Sequence, residues 1–311
     1  MEPMLATPAP APAALPHGRD WVYEVKWDGV RVLADVRDGT VRLGSRNERD
    51  VTPAYPELRG LADLGDVLLD GEVVLMERGR PSFPALAERM HVRDARRAEA
   101  LAAARPVTYL VFDVLRRSGQ DLAPLPLRAR RAVLEDLPLP EHVQVSPWYD
   151  DGDDLWQVTA AHGLEGVVAK RTDSTYRPGR RSPDWVKSAH RRTRTALVGG
   201  WRPESTGTGR LGAVLLGAPD ADGALRYLCR AGSGLAGPAA RAMRERLAPL
   251  ERATSPFADD VPAVDARGTI WCDPVVVTDI LYLGRTPTGR LRQPVVRGVR
   301  TDTTADPWDQ P

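Results

Sequence analysis

Short β-branched and aromatic runs separated by Asp-Gly dipeptides constrain the fold of this chain most strongly. Residues 21–36 are rich in Val, Tyr and Trp, with an interruption at residues 28–29, and a second run at residues 40–43 follows another Asp-Gly pair. Asp-Gly is a common tight turn between short strands. Further strands are predicted at residues 67–76, 107–115, 143–148 and 166–170, and helices at residues 85–104, 128–134 and 154–162. This mixture indicates an α+β domain with antiparallel sheets.

The pattern changes after about residue 193. One helix is predicted at residues 238–250, among strands predicted at residues 196–201, 212–217, 225–231, 270–283 and 291–299. Five strands with one inserted helix are typical of a small Greek-key barrel of the OB type, a fold that often lies along nucleic acid. We therefore predict two domains, residues 1–193 and residues 194–311.

The composition fits a folded protein of this size. Of the 311 residues, 42% are hydrophobic and 27% are charged, which excludes disordered, collagenous and disulfide-framework proteins. Cys229 and Cys272 are too few for a secreted scaffold and have no metal-ligand spacing. No apolar run reaches the roughly 18–20 residues of a membrane span, and residues 1–18 do not resemble a signal peptide. We expect a soluble, cytoplasmic, nucleoid-associated monomer.

Lysine is rare in this chain. Only three of the 43 basic residues are lysines, Lys26, Lys170 and Lys187, and all the others are arginines. Arginine stays charged and is a poor nucleophile, whereas a desolvated lysine amine can lose its proton and attack an electrophile. The lysines are therefore candidates for chemistry, although chance explains the retention of any one of them alone.

The segment 177–194 is strongly basic. It holds seven basic residues against Asp184 alone, and Tyr176 and Trp185 lie beside and among them. Such a local concentration of positive charge in a nearly neutral protein is suited to phosphates. A solvated linker is the alternative interpretation, but linkers seldom place aromatic residues among the charges.

The most specific motif is Lys-Trp-Asp-Gly-Val-Arg at residues 26–31. The pattern K-x-D-G-x-R resembles the first nucleotidyltransferase motif of ATP-dependent DNA ligases and mRNA capping enzymes. Five further segments look like the later motifs of the ligase branch, in order: SRN at 45–47, DGE at 70–72, VFD at 111–113, EGVVAK at 165–170 and WVK at 185–187. The resemblance covers nearly the whole chain, and residues 3–6 and 176–182 are similar to the bacterial ligase-domain type associated with end joining.

This resemblance implies a role for each motif residue. Lys26 would attack the α-phosphate of ATP, form a lysyl-AMP phosphoramidate and release pyrophosphate. Glu24 would help to hold the adenine, Phe112 would stack on it, and Glu72 would bind the ribose. The other implied nucleotide-binding residues are Arg31 and Arg46 near the sugar and phosphates, Lys170 and Lys187 at the α-phosphate, and Arg181, Arg300 and Asp302. Arg46 would also meet the 5′-phosphate of a nick.

Two glutamates are implied metal ligands. Glu165, together with Glu72, would hold Mg²⁺ or Mn²⁺, because hard cations favour carboxylate oxygens. Both interrupt Val-rich strands, where an unpaired carboxylate would cost several kcal/mol to bury, so each is expected to have a partner. Structural alternatives stay open for other residues: core packing for Phe112, an exposed charge for Arg46 and a backbone contact at Glu24. The five histidines have no metal spacing.

The chain departs from the ligase pattern at two positions. The family usually carries a second lysine where Ala189 stands, and usually ends its last motif with a lysine where Thr303 stands. Losing a charge-assisted phosphate contact removes about 1.5–3 kcal/mol. We therefore expect self-adenylylation by free ATP to be weakened, with His190 or Arg191 as candidates for compensation.

The sequence as a whole predicts an ATP-dependent DNA ligase that seals nicks in duplex DNA, with end-joining or repair proteins as partners. DNA would be gripped by the basic junction and the OB surface, with strong salt dependence. One alternative is a nick- or end-binding homologue impaired in self-adenylylation. The other is an RNA ligase or capping-type nucleotidyltransferase.

Overall fold

A computed structural model describes residues 1–11, 13–204 and 209–308. The chain divides into two compact units, Met1–His190 and Arg191–Pro311. The sequence had placed this division at 193/194, whereas the strand that opens the second unit already begins at Arg192. No helix in the described part of the chain combines the length and the apolar character needed to cross a membrane.

The first unit is an α+β structure, as predicted. Its strands are β1 Leu5–Pro8, β2 Trp21–Val25, β3 Val30–Arg37, β4 Thr40–Ser45, β5 Val67–Val74, β6 Met76–Glu77, β7 Arg80–Pro81, β8 Thr108–Arg117, β9 Gln120–Asp121, β10 Val143–Val145, β11 Gly166–Arg171 and β12 Arg181–Ala189. Its helices are α1 Phe83–Ala87, α2 Ala95–Ala104, α3 Leu127–Glu135 and α4 Gly152–Ala161, with 3-10 turns at Thr52–Ala54 and Pro56–Leu64.

Two main sheets make up this unit. One has the strand order β1-β12-β11-β2, and the other has the order β10-β8-β5-β3-β4, with β9 paired to β8. Most pairs between the described strands of this unit are antiparallel, and among them only β1 with β12 and β10 with β8 are parallel. The largest core cluster packs the β3, β5 and β8 side chains against the 3-10 turns. The two sheets therefore supply the two walls of any site placed between them.

The turn at Asp28-Gly29 does not join a hairpin. β2 belongs to the four-stranded sheet and β3 to the larger sheet, so residues 26–29 carry the chain from one sheet to the other. A Cβ at Gly29 would lie 2.2 Å from the carbonyl oxygen of Val73, which explains why only glycine fits against β5 there. Lys26 thus lies at the junction of the two sheets.

The prediction of a single helix at residues 85–104 is wrong. This segment consists of α1 and α2, separated by residues 88–94. Ser82 caps α1 by accepting from the backbone N–H of Ala85, and Asp94 begins α2 by accepting from that of Arg97. Asp94 has the extended backbone of an N-cap, so one continuous helix cannot run through residues 85–104.

The basic segment 177–194 is not a linker. Residues 181–189 form β12, which pairs with both β1 and β11. Two of the segment's seven positive charges, Arg181 and Lys187, are therefore fixed on a strand in the middle of a sheet rather than spread along a solvated connection.

The second unit is mostly antiparallel sheet with one long helix. Its strands are β13 Arg192–Pro203, β14 Leu211–Pro219, β15 Leu225–Ala231, β16 Glu251–Arg252, β17 Ile270–Cys272, β18 Val277–Tyr282, β19 Gly284–Arg285, β20 Leu291–Arg292 and β21 Val295–Arg300. Its helices are α5 Gly237–Leu247 and α6 Ala263–Ala266, with a 3-10 turn at Ala248–Leu250.

The main ladder of the second unit runs β15-β14-β13-β18-β21. One isolated bridge, between Ser233 and Val295, links the segment after β15 to the start of β21. Along the chain, α5 follows the third of these five strands, which is the OB-type arrangement that the sequence predicts. Within the described residues, a single bridge rather than a continuous ladder connects the two ends of the sheet. The core beneath α5 is apolar and includes Trp201, Met243 and Leu247.

Candidate active site

A cleft of about 630 Å³ lies in the first unit, with walls from both sheets. It is lined by nine of the residues predicted to bind nucleotide or to react: Glu24, Lys26, Arg31, Arg46, Glu72, Phe112, Lys170, Arg181 and Lys187. The ordered motifs, which are spread over about 160 residues of sequence, therefore meet in one place.

Lys26 is fixed at the junction of the sheets. Its backbone N–H donates to the carbonyl of Gly166 at 2.8 Å, and its Nζ forms an ion pair with Oε1 of Glu165. The Glu165 side chain is 6% exposed and that of Lys26 is 22% exposed. The amine thus has a carboxylate beside it while one side remains open to the cleft.

Glu24 and Lys170 form a second ion pair deeper in the protein. Lys170 Nζ donates to Glu24 Oε1 at 2.7 Å, and the indole N–H of Trp148 donates to the same oxygen at 2.9 Å. Burial raises the pKa of Glu24 and lowers the pKa of Lys170, and their mutual attraction opposes both shifts. The glutamate predicted for adenine is therefore held by a lysine that was predicted for the α-phosphate.

Phe112 presents a half-buried ring to the cleft. Lys170 Nζ lies 4.2 Å from its centroid and the Arg31 guanidinium lies 5.3 Å away. Trp185 packs edge-on against it at 6.0 Å. An aromatic surface flanked by cations is suited to a flat, electron-rich ring such as a purine.

The Arg31 side chain lines the cleft and is also held by an ion pair within the protein. Its guanidinium donates to both carboxylate oxygens of Asp70, at 2.9 and 2.6 Å, and the Tyr176 hydroxyl donates to the same carboxylate at 2.6 Å. Asp70 is fully buried. The bidentate pair fixes the orientation of the guanidinium and limits its freedom to follow a phosphate.

Of the two predicted metal ligands, Glu72 lines the cleft, whereas Glu165 is not among the lining residues and pairs with Lys26. The pKa of Glu72 is raised to about 8, because burial and the charges of Glu165 and Asp70 together outweigh the lowering by Lys26 and Arg31. The described residues contain no group of three or more metal-ligating side chains. Mg²⁺ is commonly held by one or two carboxylates with water and substrate phosphates, so this donor set fits it.

Positive charge also lines the cleft, at Lys26, Arg46, Arg181 and Lys187. Burial lowers the pKa of Lys187, and the charges of the other three lower it further. Trp185 and Lys187 line the cleft two residues apart on β12. Ala189, two residues further, shares that strand face and contributes no charge.

Arg300 and Asp302 belong to the second unit. Arg300 donates to both oxygens of Asp302 at 2.8 Å and to Asp279 at 3.0 and 3.2 Å. Arg194, at the end of the basic segment, is buried and donates to the carbonyls of Asp306 and Pro307. The basic segment therefore serves the cleft at Arg181 and Lys187 and the second unit at Arg194.

His190 lies at the last position of the first unit. Its ring packs on Trp156 with centroids 3.8 Å apart, its Nε2 is 2.9 Å from the Thr159 hydroxyl, and burial lowers its pKa. Its backbone N–H donates to the carbonyl of Glu165 at 2.9 Å. These contacts give His190 a packing role beside Glu165, one of the two predicted metal ligands.

Sequence reasoning missed one wall of the cleft. Residues 90–93 line it, together with Tyr55 from the turn between the two 3-10 segments. Arg89 anchors this wall by donating to Glu57 at 2.6 and 2.9 Å and to the carbonyl of Ala54 at 2.8 Å. The prediction of one helix over residues 85–104 left no loop at residues 90–93 to line the cleft. Asp94, a residue typical of helix N-caps, was the sequence signal for a second helix and for the loop before it.

The fold and cleft define a two-unit nucleotidyltransferase with an OB-type second unit. A family model described as the ATP dependent DNA ligase domain matches residues 3–188, and one described as the ATP dependent DNA ligase C terminal region matches residues 207–303. The chain belongs to the ATP-dependent DNA ligase family.

The chain is similar to proteins named for non-homologous end joining. The chain is 40% identical over 308 residues to the multifunctional non-homologous end joining DNA repair protein LigD of Mycobacterium tuberculosis, covering 97% of this chain and 39% of that protein. LigD of Pseudomonas aeruginosa is 36% identical over 319 residues, covering 97% of this chain and 36% of the relative. The chain thus spans about two fifths of the length of these relatives.

A solved structure supports the same assignment. A mycobacterial DNA ligase D complexed with ATP and MES is 37% identical, with a TM-score of 0.56, and the match covers 97% of this chain and 95% of that one. A Lig E DNA ligase structure shares the fold at 17% identity, with a TM-score of 0.64. The chain is a DNA ligase domain homologous to that of LigD.

Proposed function

We propose that this chain seals nicks in duplex DNA with ATP, through an AMP attached to Lys26. The observation that carries the proposal is the position of Lys26, paired with Glu165 and open to a cleft where the other motif residues converge. The ATP complex of the similar mycobacterial ligase supports ATP as the nucleotide. In this assignment the first unit, predicted as residues 1–193, is the adenylation domain, and the second unit, predicted as residues 194–311, is the OB-fold domain.

Adenylylation follows from the chemistry of the amine. The Lys26 nitrogen, once it has given up a proton, forms a P–N bond to the α-phosphorus, the bond from that phosphorus to the bridging oxygen breaks, and pyrophosphate leaves. Glu165 is the adjacent group that can accept the proton. Sealing then transfers AMP to the 5′-phosphate of the nick, and the 3′-hydroxyl displaces AMP as the phosphodiester forms.

The base and sugar are assigned to the wall that holds Phe112. We propose that the purine stacks on Phe112 with its polar edge toward Glu24 and Lys170, so that Lys170 serves the base in place of the α-phosphate. Its ion pair with Glu24 and its distance of 4.2 Å from the Phe112 centroid support this position. Lys187, Arg46 and Arg181 then remain for the phosphates, while Arg31, fixed by Asp70, faces the sugar.

Glu72 and Glu165 would hold Mg²⁺ or Mn²⁺. A bound divalent cation supplies charge stabilisation for the oxygens of the reacting phosphates. Glu72 would also accept from a ribose hydroxyl.

One observation favours a second function, a nick-binding homologue with weak self-adenylylation. Ala189 lies on the cleft face of β12 two residues beyond Lys187, where a second phosphate-binding lysine would stand. If that cation is required, the chain would bind nicks and seal them only when AMP is already present on the DNA.

A nicked duplex labelled at the internal 5′-phosphate tests both functions. We expect ATP with Mg²⁺ to give full-length product, and Lys26→Ala to bind the nick in a gel shift without sealing it. Sealing of a pre-adenylylated nick without sealing from ATP would support the second function. Preference for GTP and RNA 5′-ends would contradict both and favour a capping-type enzyme.

End joining is the proposed setting because the similar proteins are named for it. Repair proteins that bring DNA ends together are the expected partners, and binding to DNA is expected to weaken steeply with salt. Activity on cohesive double-strand ends, compared with a single nick, measures this part of the proposal.

A further inference from the structure

The Tyr176 hydroxyl connects the amino-terminal segment to a residue of the cleft wall. It accepts from the backbone N–H of Met4 at 2.9 Å and donates to Oδ2 of Asp70 at 2.6 Å. The Asp70 carboxylate in turn accepts from Nη2 of Arg31 at 2.6 Å and from its Nε at 2.9 Å. A continuous chain of hydrogen bonds therefore runs from Met4 through Tyr176 and Asp70 to Arg31.

Several contacts hold Tyr176 in one position. The residue is 4% exposed, and its backbone N–H donates to the carbonyl of Ala123 at 2.9 Å. Its ring packs edge-on against Trp185 with centroids 5.8 Å apart, and the buried Arg130 guanidinium lies 5.9 Å from its centroid. Tyr176 is not among the residues that line the cleft, so its hydroxyl acts on the site only through Asp70.

Arg31 keeps donors for a ligand. An arginine side chain carries five N–H donors, and Asp70 takes one from Nε and one from Nη2, which leaves three. The side chain lines the cleft and is 17% exposed. Because the guanidinium is planar and rigid, fixing the edge that faces Asp70 also fixes the direction of the remaining donors.

Tyr176 adds a second donor to the carboxylate oxygen that holds Nη2 of Arg31. Burial and the charge of Asp70 raise the pKa of Tyr176, so the phenol keeps its proton at neutral pH and can donate. We propose that Tyr176 is a positioning residue for nucleotide binding, which fixes the Asp70 carboxylate and so directs the remaining donors of Arg31 toward the sugar of ATP. This inference rests on the proposed ATP-binding function and gives a role to a residue that does not itself touch the nucleotide.

A double-mutant cycle on ATP affinity tests whether Tyr176 acts through Arg31. Equilibrium binding of ATP is measured on the full chain carrying Lys26→Arg, which cannot form the covalent adduct. In this parent Tyr176→Phe, which removes only the hydroxyl, should weaken ATP binding about threefold to tenfold, the range of one neutral hydrogen bond. When Arg31→Lys is also present, Tyr176→Phe should weaken it by less than about twofold, because lysine has no planar fork to direct. Equal weakening in both backgrounds, or none in the parent, would overturn the inference.

Arg31→Lys alone is a second test that does not depend on the folding of Tyr176→Phe. It keeps a positive charge beside Asp70 but loses the fork, so it should weaken ATP binding at least as much as Tyr176→Phe. Affinity equal to that of the parent would overturn the inference by itself.

Tyr109→Phe is the matched control. Its hydroxyl is buried and donates to the carbonyls of Val32 at 2.8 Å and Leu69 at 3.2 Å, so the substitution should lower thermal stability without changing ATP affinity. Weakening of ATP binding by Tyr109→Phe to the same extent as by Tyr176→Phe would reduce Tyr176 to a structural role and overturn the inference.

The kinetics of self-adenylylation separate positioning from folding. In the chain that retains Lys26, Tyr176→Phe should raise the KM for ATP and leave the maximal rate within about twofold, because a contact with the sugar is kept in the transition state. A lower maximal rate with an unchanged KM would overturn the inference and leave the proposed function intact. A Lys26→Arg parent that binds no ATP would overturn both.

Discussion

Lys170 donates to Glu24 at 2.7 Å inside the protein, where each side chain is only 3% exposed. The two residues come from β11 and β2, which pair directly, with Lys170 opposite Val22 and Glu24 opposite Val168. The Lys170 amine lies 4.2 Å from the Phe112 centroid and 4.4 Å from the Trp185 centroid. The pair therefore ties the proposed base-binding end of the cleft to the sheet that carries Lys26.

Breaking this pair from one side should be costly. Lys170→Met or Glu24→Gln alone is expected to lower the free energy of unfolding by about 3–5 kcal/mol, because each leaves the other group buried without its partner. The double variant should lose less than the sum of the two single losses. Urea unfolding of all four proteins measures the coupling, and additive losses would mean that the two charges do not depend on each other.

Glu72 should make the stability of the metal-free protein depend on pH. Its pKa in the folded chain is raised to about 8 from an ordinary value of 4.5. Because the raised pKa means that the folded state binds the proton more tightly, its contribution is complete below about pH 4.5 and is lost as the pH rises through 8.

Glu72→Gln removes this titration. Between pH 5 and 8 we expect the unsubstituted protein to lose about 2–4 kcal/mol more than Glu72→Gln, a value discounted for partial exposure. Glu141→Gln is the control, because its side chain is 87% exposed. Denaturant unfolding at several pH values checks this, and parallel profiles for Glu72→Gln and the unsubstituted protein would contradict it.

Restoring a lysine at position 189 should speed self-adenylylation. Ala189 shares a strand face with Lys187, so Ala189→Lys places a third amine at the phosphate side of the cleft. A charge-assisted contact of about 1.5–3 kcal/mol that acts in the transition state corresponds to about a tenfold to hundredfold gain in rate. Ala189→Gln has a side chain of similar length without the charge and should give little gain. Equal rates of self-adenylylation for Ala189→Lys and Ala189→Gln would contradict a requirement for charge at this position.

Gly166 should be intolerant of a side chain. Its φ is +150°, and a Cβ would lie 2.1 Å from the carbonyl oxygen of Ser188, so Gly166→Ala forces β11 and β12 apart next to Glu165. We expect a loss of about 3 kcal/mol in unfolding free energy and a severe loss of adenylylation. Gly39→Ala has a positive φ but open space around it, and should cost only about 1 kcal/mol. Equal losses of unfolding free energy in Gly166→Ala and Gly39→Ala would show that the close approach of Gly166 to Ser188 is not the cause.

Local patterns predicted the parts of the structure that depend on neighbouring residues. Strands such as Val30–Arg37 and Gly166–Arg171, and the approximate helix Leu127–Glu135, follow from alternation and helical spacing. The order of the motifs also predicted which residues would share a cleft, because the resemblance transferred their long-range arrangement along with their identity.

Pairings between distant residues were beyond such patterns. The bidentate contact of Arg31 with Asp70 joins two strands, and nothing in the sequence around either residue indicates this pairing. The residues that separate α1 from α2 include Arg89, whose partner Glu57 lies 32 positions away in the sequence. Tyr55 was missed because a buried tyrosine in a turn reads as core until the cleft beside it is known.

Labelling of the protein by α-labelled ATP tests the central claim most directly. With Mg²⁺ or Mn²⁺, the unsubstituted chain should acquire label through an acid-labile, alkali-stable bond, while Lys26→Arg, which keeps the charge beside Glu165, should acquire none. Label on Lys26→Arg at the same level, or no label on the unsubstituted chain with either metal, would contradict the claim that Lys26 carries the AMP.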